Sequence, residues 1–173
     1  MILIGLGANL PSPRHGPPRQ TLEAALARLA ALGAPVQRHS PWYRSAPVPA
    51  SDQPWFVNGV AELDWPGTAE ELLALLHRVE AEFGRVRLKR WEARVLDLDL
   101  LAFGDAVIGW PPEGEGLTVP HPRLHERLFV LCPLNDLAPG WRHPVFGRTA
   151  AELLASLPSG QGIEPLADDE HGG

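Results

Sequence analysis

The spacing of the strand-like segments most constrains the fold. Apolar or alternating segments that are typical of strands follow one another closely, and several of the connections are too short to hold the crossover helix that parallel neighbours need. Helical segments occur between some strands, without strict βαβ alternation. The sequence therefore predicts an α+β fold, a sandwich with a largely antiparallel sheet flanked by helices. The predicted strands are residues 2–7, 36–43, 55–63 and 95–103.

End signals mark the predicted helices. Thr68 and Glu71 match the pattern of a capping box, in which the side chain of each residue accepts a hydrogen bond from the backbone N–H of the other. Thr149 and Glu152 repeat the pattern. Gly33 suits the end of an earlier helix, because glycine readily adopts the left-handed conformation found there. The predicted helices are residues 21–32, 68–83, 122–131 and the leucine-rich segment after Thr149.

The length of the chain limits the number of domains, and its net charge limits the classes of binding partner. The 173 residues suffice for one domain, which we expect at 1–158, followed by a disordered tail at 159–173 that is rich in glycine and acidic residues. The formal net charge of -6 argues against nucleic-acid binding and against attachment to anionic lipid. No apolar run is long enough to span a bilayer. We expect a cytoplasmic monomer with no membrane partner.

Asp97 and Asp99 form the sharpest local motif. On a strand they point to one face, with Cα atoms about 6 to 7 Å apart, while Leu96, Leu98 and Leu100 point into the core. Magnesium often binds through one or two carboxylates plus substrate phosphates, so this spacing suits metal-bound ATP. Alternation on a solvated edge strand would produce the same pattern, so the motif alone leaves both interpretations open.

Basic groups flank the two aspartates. The preceding loop, 84–94, carries five cations against one acid in a chain that is acidic overall, a composition that favours a polyphosphate clamp over a merely solvated loop. In the second basic segment, 119–127, His121 and Arg127 could donate to phosphate oxygens. His121 and His125 could instead form a metal pair, but no third zinc ligand is evident. Surface histidines that cap a helix remain the commoner alternative.

Several motifs together resemble the 6-hydroxymethyl-7,8-dihydropterin pyrophosphokinases. The segment at residues 5–10 lacks the Gly-Lys-Ser/Thr ending of a P-loop, and by itself it indicates only a strand that turns tightly at its end. The agreement of separate segments in the family's order is far more specific, and it covers most of residues 1–140. The matching segments are 5–10, 40–47, 52–58, 80–87, 90–101 and 117–134.

The resemblance implies a ferredoxin-like α/β sandwich that transfers pyrophosphate from ATP to the pterin hydroxymethyl oxygen, in folate biosynthesis, with AMP leaving. It places two Mg²⁺ ions, bound with ATP, on the metal ligands Asp97 and Asp99. The remaining roles are also those that the resemblance implies. The catalytic residues are Arg85, Arg94, Asp97 and Asp99. The ATP-binding residues are His77, Glu80, Arg87, Trp91, Thr118, His121 and Arg127. The pterin-binding residues are Ser45, Pro47, Val48, Phe56, Asn58, Trp91, Asp97 and Phe129.

The pterin assignments agree with the chemistry of these side chains, since aromatic faces can sandwich a flat bicycle and an amide offers a donor and an acceptor to its edge. Two other functions stay open at this point. One is a different magnesium-dependent nucleotidyl or phosphoryl transferase on a similar sandwich, because a fold does not fix a reaction. The other is a non-catalytic ligand-binding domain, which would have no need of a dense metal and polyphosphate site.

Overall fold

A computed structural model of the chain describes residues 1–12, 14–47, 52–84, 95–113, 116–158 and 161–166. Within these ranges the strands are β1 (Ile2–Ala8), β2 (Val36–His39), β3 (Tyr43–Ser45), β4 (Phe56–Leu63), β5 (Asp97–Phe103) and β6 (Ile163–Pro165). The helices are α1 (Pro18–Ala31), α2 (Ala69–Glu82), α3 (Leu128–Leu137) and α4 (Ala150–Ala155), with a 3-10 turn at Leu124–Glu126.

The strands form one sheet in the order β5-β1-β4-β3-β6, and β2 also pairs with β4. Every pairing between these strands is antiparallel. The predicted fold class, a largely antiparallel sheet flanked by helices, is confirmed. None of the described helices is long and apolar enough to cross a membrane.

Each face of the sheet packs on different helices. On the first face, Ile4, Leu6 and Leu98 lie in a core shared with α1 and α2. On the second face, Leu3 and Val60 lie in a separate core shared with α3 and α4. Because strand residues alternate between the faces, each central strand contributes to both cores.

The predicted helix ends are largely confirmed. Both capping boxes form, at Thr68 with Glu71 and at Thr149 with Glu152. Gly33 has φ of +100°, the left-handed conformation expected after α1. Helix α1 begins at Pro18, three residues before the predicted start, because proline suits the first helical position, where its missing N–H is not needed.

Two predicted elements were wrong in extent. The strand predicted at 36–43 is two strands, since Pro41 has no N–H for a ladder and the Ser40 hydroxyl instead accepts from the Val60 N–H at 3.0 Å. The helix predicted at 122–131 starts as the 3-10 turn and continues as α3 to Leu137, despite Pro133 inside it. The burial of its leucines and Val130 in the second core outweighs the lost hydrogen bond.

The tail predicted to be disordered contains β6, so that prediction was wrong at 163–165. Strand β6 pairs with β3, which otherwise would expose its outer edge, and Leu166 beyond it is buried in the first core. Long-range pairing thus orders a segment whose local composition favours disorder. Residues 159–160 and 167–173 lie outside the described residues.

Candidate active site

On the second sheet face, β1 carries glycine at positions 5 and 7, and the strip of this face from β4 across these glycines to β5 is called the groove. The strand register places Tyr43, Asn58, Gly7 and Asp97 in one row across β3, β4, β1 and β5. Strands are about 4.8 Å apart, so the Cα atoms of Asn58 and Asp97 lie about 10 Å apart with only Gly7 between them. Gly5 occupies the same face of β1, paired with Asp99. The groove therefore has an amide on one side and two carboxylates on the other.

Asp97 and Asp99 both lie on this face, as predicted. Each is half-buried, whereas Leu98 and Leu100 between and beyond them are buried in the first core. The carboxylate of Asp99 is 3.6 Å from a guanidinium nitrogen of Arg127. The groove therefore contains both a cation, Arg127, and the carboxylates of Asp97 and Asp99.

Glu80 supports the strand that carries the two aspartates. Its residue is 3% exposed, and its Oε2 accepts a hydrogen bond from the Leu98 N–H at 2.8 Å. Within the described residues β5 is at the edge of the sheet, so its outward N–H groups need partners other than a strand. The carboxylate thus satisfies the backbone between Asp97 and Asp99. The resemblance implied a contact between Glu80 and ATP, and that role stays a prediction.

Arg127 and Phe129 form the wall at the start of α3. The Arg127 guanidinium lies 5.5 Å from the centre of the Phe129 ring, in cation–π geometry. Burial lowers the pKa of Arg127, while the nearby Asp99 opposes that shift. The side chain remains a cation with five N–H donors. Its position next to Asp99 would let it donate to an oxygen of a phosphate bound in the groove.

His121 is held next to β5 by its own backbone. Its N–H donates to the Leu101 carbonyl at 2.9 Å, and its Nδ1 accepts from the Arg123 N–H at 3.1 Å. Burial, with a further contribution from Arg127, lowers the pKa of His121 to about 4. The ring is therefore neutral at pH 7 with its proton on Nε2, which can donate to an anionic oxygen.

The zinc interpretation of His121 and His125 gains no support. The ring of His125 packs among Trp110, His143 and Phe146, with ring centres 4.8 to 6.4 Å away, and its Nε2 lies 3.5 Å from Glu126. No three histidine, cysteine, aspartate or glutamate side chains in the described part of the chain are grouped to hold a metal.

The opposite wall presents the Asn58 amide. Asn58 is 6% exposed, its Oδ1 accepts from the Ser45 hydroxyl, and its Nδ2 is directed toward the space above Gly7. Phe56 shares the face with Asn58 and is half-buried, while Pro47 is buried. Ser45 is paired with Phe56 on the neighbouring strand. The structure thus brings three of the predicted pterin residues, Ser45, Phe56 and Asn58, together on one side of the groove.

The other predicted residues divide into two sets. His77 is exposed on α2, and Thr118 is half-buried next to the short antiparallel bridge between Ile108 and Val119. The remaining predicted residues, Val48, Arg85, Arg87, Trp91 and Arg94, lie outside the described residues.

Sequence reasoning missed three residues that shape the groove or the loop next to it. Gly5 and Gly7 were interpreted as a turning strand end and as part of a segment that matches the family, although two glycines at alternate positions of a buried strand also signal a close approach on one face. Asn9 is 1% exposed, and its Nδ2 donates to Gln53 Oε1 and to the Pro54 carbonyl, both at 3.1 Å. It fixes the loop before β4 to the end of β1.

The donors fit magnesium held together with a phosphate ligand. Asp97 and Asp99 supply hard carboxylate oxygens on one face, and the absence of a third protein carboxylate or imidazole grouped with them in the described ranges leaves further positions for phosphate and water. Magnesium commonly binds in this way. A closed structural zinc site would need four protein ligands.

Residues 3–139 match the family model described as 7,8-dihydro-6-hydroxymethylpterin-pyrophosphokinase (HPPK). The chain belongs to this family. The resemblance stated from the sequence is therefore confirmed.

Curated relatives with the family's name are similar over most of their length. The chain is 45% identical to the 2-amino-4-hydroxy-6-hydroxymethyldihydropteridine pyrophosphokinase of Pseudomonas aeruginosa, over 95% of this chain and 96% of the relative. The protein of the same name in Synechocystis sp. is 40% identical, over 90% of this chain and 75% of the relative.

Longer proteins contain the same unit. The chain is 36% identical to part of the mitochondrial folate synthesis bifunctional protein of Pisum sativum, covering 79% of this chain but 25% of the relative. Among solved structures, Plasmodium falciparum HPPK-DHPS with pterin and p-hydroxybenzoate superposes with a TM-score of 0.68 at 14% identity. The match covers 89% of this chain and 42% of that one, and it shows a shared fold.

Proposed function

We propose that this chain transfers pyrophosphate from ATP to 6-hydroxymethyl-7,8-dihydropterin, giving AMP and the pterin diphosphate for folate biosynthesis. The observation that carries the proposal is the row from Asn58 across Gly7 to Asp97. The row supports the proposal because an amide that can pair with the pyrimidinone edge lies about 10 Å, Cα to Cα, from a carboxylate pair that can hold magnesium-bound phosphates.

The groove orients the two substrates toward each other. Asn58, with Phe56 and Phe129 as aromatic walls, holds the pterin so that its hydroxymethyl group points to β5. Asp97 and Asp99 would hold Mg²⁺, which offsets phosphate charge and aligns the β-phosphorus for in-line attack when it is bound. We propose two ions, as the resemblance implies.

Basic side chains, charged or neutral, act on the triphosphate. Arg127 donates to phosphate oxygens as a cation, and His121 donates to them through its Nε2–H as a neutral ring. Arg85 and Arg94 stabilise the charge that develops as the bond to AMP breaks, with Arg87 and Trp91 on the nucleotide, as the resemblance implies. His77, Glu80 and Thr118 complete the nucleotide site, and Ser45, Pro47 and Val48 the pterin site.

Product analysis tests the reaction. Purified protein is incubated with ATP, magnesium and 6-hydroxymethyl-7,8-dihydropterin, and the nucleotides are separated. Pterin-dependent AMP is the expected product. ADP would show a simple kinase, and no turnover by folded protein would favour the ligand-binding alternative.

Matched variants test the carboxylates. Asp97→Asn and Asp99→Asn should each lower turnover by at least a hundredfold, since an amide is a far poorer magnesium ligand. Asp105→Asn is the control, because Asp105 is exposed just after β5. Near-normal turnover of either groove variant would refute the metal assignment. The cytoplasmic location and the monomeric state are proposed from the sequence, and sedimentation of the purified protein tests the latter.

A further inference from the structure

The C-terminal strand is fastened to the strand that carries Ser45. The register pairs Tyr43 with Pro165, Arg44 with Glu164 and Ser45 with Ile163. The pairing extends beyond β6 at both ends, because the Ala46 N–H donates to the Gly162 carbonyl and the Leu166 N–H donates to the Trp42 carbonyl, each at 2.9 Å. Backbone bonds therefore hold the whole of β3 from its outer side.

Side chains reinforce this pairing. Arg44 contacts Glu164 at 2.5 Å, and its guanidinium lies 5.2 Å from the centre of the Trp55 ring. The same ring packs on Gly162, where an added Cβ would come within 2.6 Å of it. Trp55 directly precedes Phe56, so its contacts with Gly162 and Arg44 connect β6 to the start of β4 as well as to β3.

Strand β3 is connected to the groove by a hydrogen bond from Ser45. Ser45 is 1% exposed, and its hydroxyl donates to Asn58 Oδ1. This bond fixes which end of the amide faces the groove, because with Oδ1 engaged the Nδ2 donors lie above Gly7. A three-residue strand paired on one side only would hold Ser45 weakly. Pairing on both sides limits its movement.

We propose that β6 is a positioning element for pterin recognition: its docking on β3 holds Ser45, and Ser45 sets the orientation of the Asn58 amide. The inference rests on the proposed function for its ligand. It assigns the C-terminal segment a role in pterin affinity with little effect on the nucleotide side of the groove, where β5 and α3 provide the residues.

The test compares Gly162→Val with Gly140→Val. At Gly162 the new side chain collides with Trp55, whereas at Gly140 a Cβ meets nothing within 4 Å. Binding of the pterin is measured by its fluorescence in the presence of magnesium and a non-hydrolysable ATP analogue, and binding of the analogue is measured separately. Hydrogen exchange of the Ala46 amide, which bonds Gly162, reports docking of β6.

We expect Gly162→Val to speed Ala46 exchange and to raise the pterin Kd by about tenfold, with the analogue Kd within twofold of wild type. Gly140→Val should change neither constant. A second pair of variants changes Ser45 and leaves β6 unaltered. Ser45→Ala should raise the pterin Kd to a similar extent, whereas Ser45→Thr, which keeps the hydroxyl, should bind the pterin as wild type does.

Three results would overturn the proposal. One is an unchanged pterin Kd when Ala46 exchange shows that β6 is undocked. Another is an equal loss of pterin and analogue binding, which would indicate general destabilisation. The third is normal pterin binding by Ser45→Ala. If wild-type protein binds no pterin while Ala46 is protected, the proposed function fails, and the docking of β6 on β3 is unaffected.

Discussion

Replacing Gly7 by alanine tests the groove most directly. A Cβ at this position would lie 3.0 Å from Asn58 Nδ2, closer than ordinary van der Waals contact. Asn58 cannot easily yield, because its residue is 6% exposed and its Oδ1 is bonded to Ser45. The added methyl also occupies part of the space in which the pterin would lie.

The magnitude follows from two opposing effects. Alanine in an extended conformation gains about 0.5 to 1 kcal/mol over glycine, because the unfolded chain loses freedom. Displacing the Asn58 amide from its buried hydrogen bond costs about 1 to 3 kcal/mol. Gly7→Ala should therefore lower the free energy of unfolding by about 0 to 2.5 kcal/mol. Pterin affinity should fall by about ten- to a hundredfold, since each 1.4 kcal/mol is a factor of ten.

Gly5→Ala is the matched control, two residues earlier on the same face of β1. Its Cβ would meet the Leu101 side chain at 3.5 Å, which is ordinary contact. It should leave pterin affinity within about threefold and raise stability slightly. Urea unfolding and pterin fluorescence titration measure both quantities. If Gly7→Ala bound pterin as Gly5→Ala does and was equally stable, the argument that Gly7 makes room for the ligand would be refuted.

Three further predictions concern Glu80, the two histidines His121 and His143, and Arg127. Glu80→Leu should lower the free energy of unfolding by about 1 to 3 kcal/mol, because the buried Leu98 N–H loses its acceptor, whereas Glu80→Gln retains one; urea unfolding and exchange of the Leu98 amide check this. His121 and His143 both have a pKa lowered to about 4, chiefly by burial, so the unfolded chain binds their protons more readily. Stability should be full above pH 6.5 and should fall toward pH 4, by about 1.4 kcal/mol per pH unit for each histidine, and urea unfolding of His143→Gln across this range should show a shallower slope. Arg127→Met should raise the KM for ATP at least tenfold and the KM for the pterin less than threefold, and equal increases in steady-state assays would contradict its assignment to phosphate.

Local patterns predicted the parts of the site that depend on one segment. The period of two placed Asp97 and Asp99 on one face of β5, and the capping box at Thr68 placed the start of α2. Both signals act within a few residues, where the sterics of the backbone leave few alternatives. The resemblance then brought separate segments to one site, which the alternation of any single strand could not do.

Long-range pairing is what the sequence did not predict. Whether Gly7 lies between Asn58 and Asp97 depends on the register of three strands far apart in the chain. The same applies to β6, whose composition favours disorder until β3 offers an edge to pair with. The bond between Glu80 and the Leu98 N–H likewise depends on the packing of α2 against β5, and the nucleotide role that the resemblance implies for Glu80 stays a prediction.

The two ends of the second sheet face differ in the side chains that they carry. Leu3 and Val60 pack under α3, so the face is apolar there and needs a helix. Farther along, the same face carries Gly7, Asn58 and Asp97, which leave little apolar surface to hide and therefore need no further helix. A flat ligand with a polar edge can occupy the place that another helix would otherwise fill. The alternation that builds the core thus also sets where the ligand binds, so a leucine at position 7 should block the site by filling the space next to Asn58 Nδ2 rather than by altering any catalytic group.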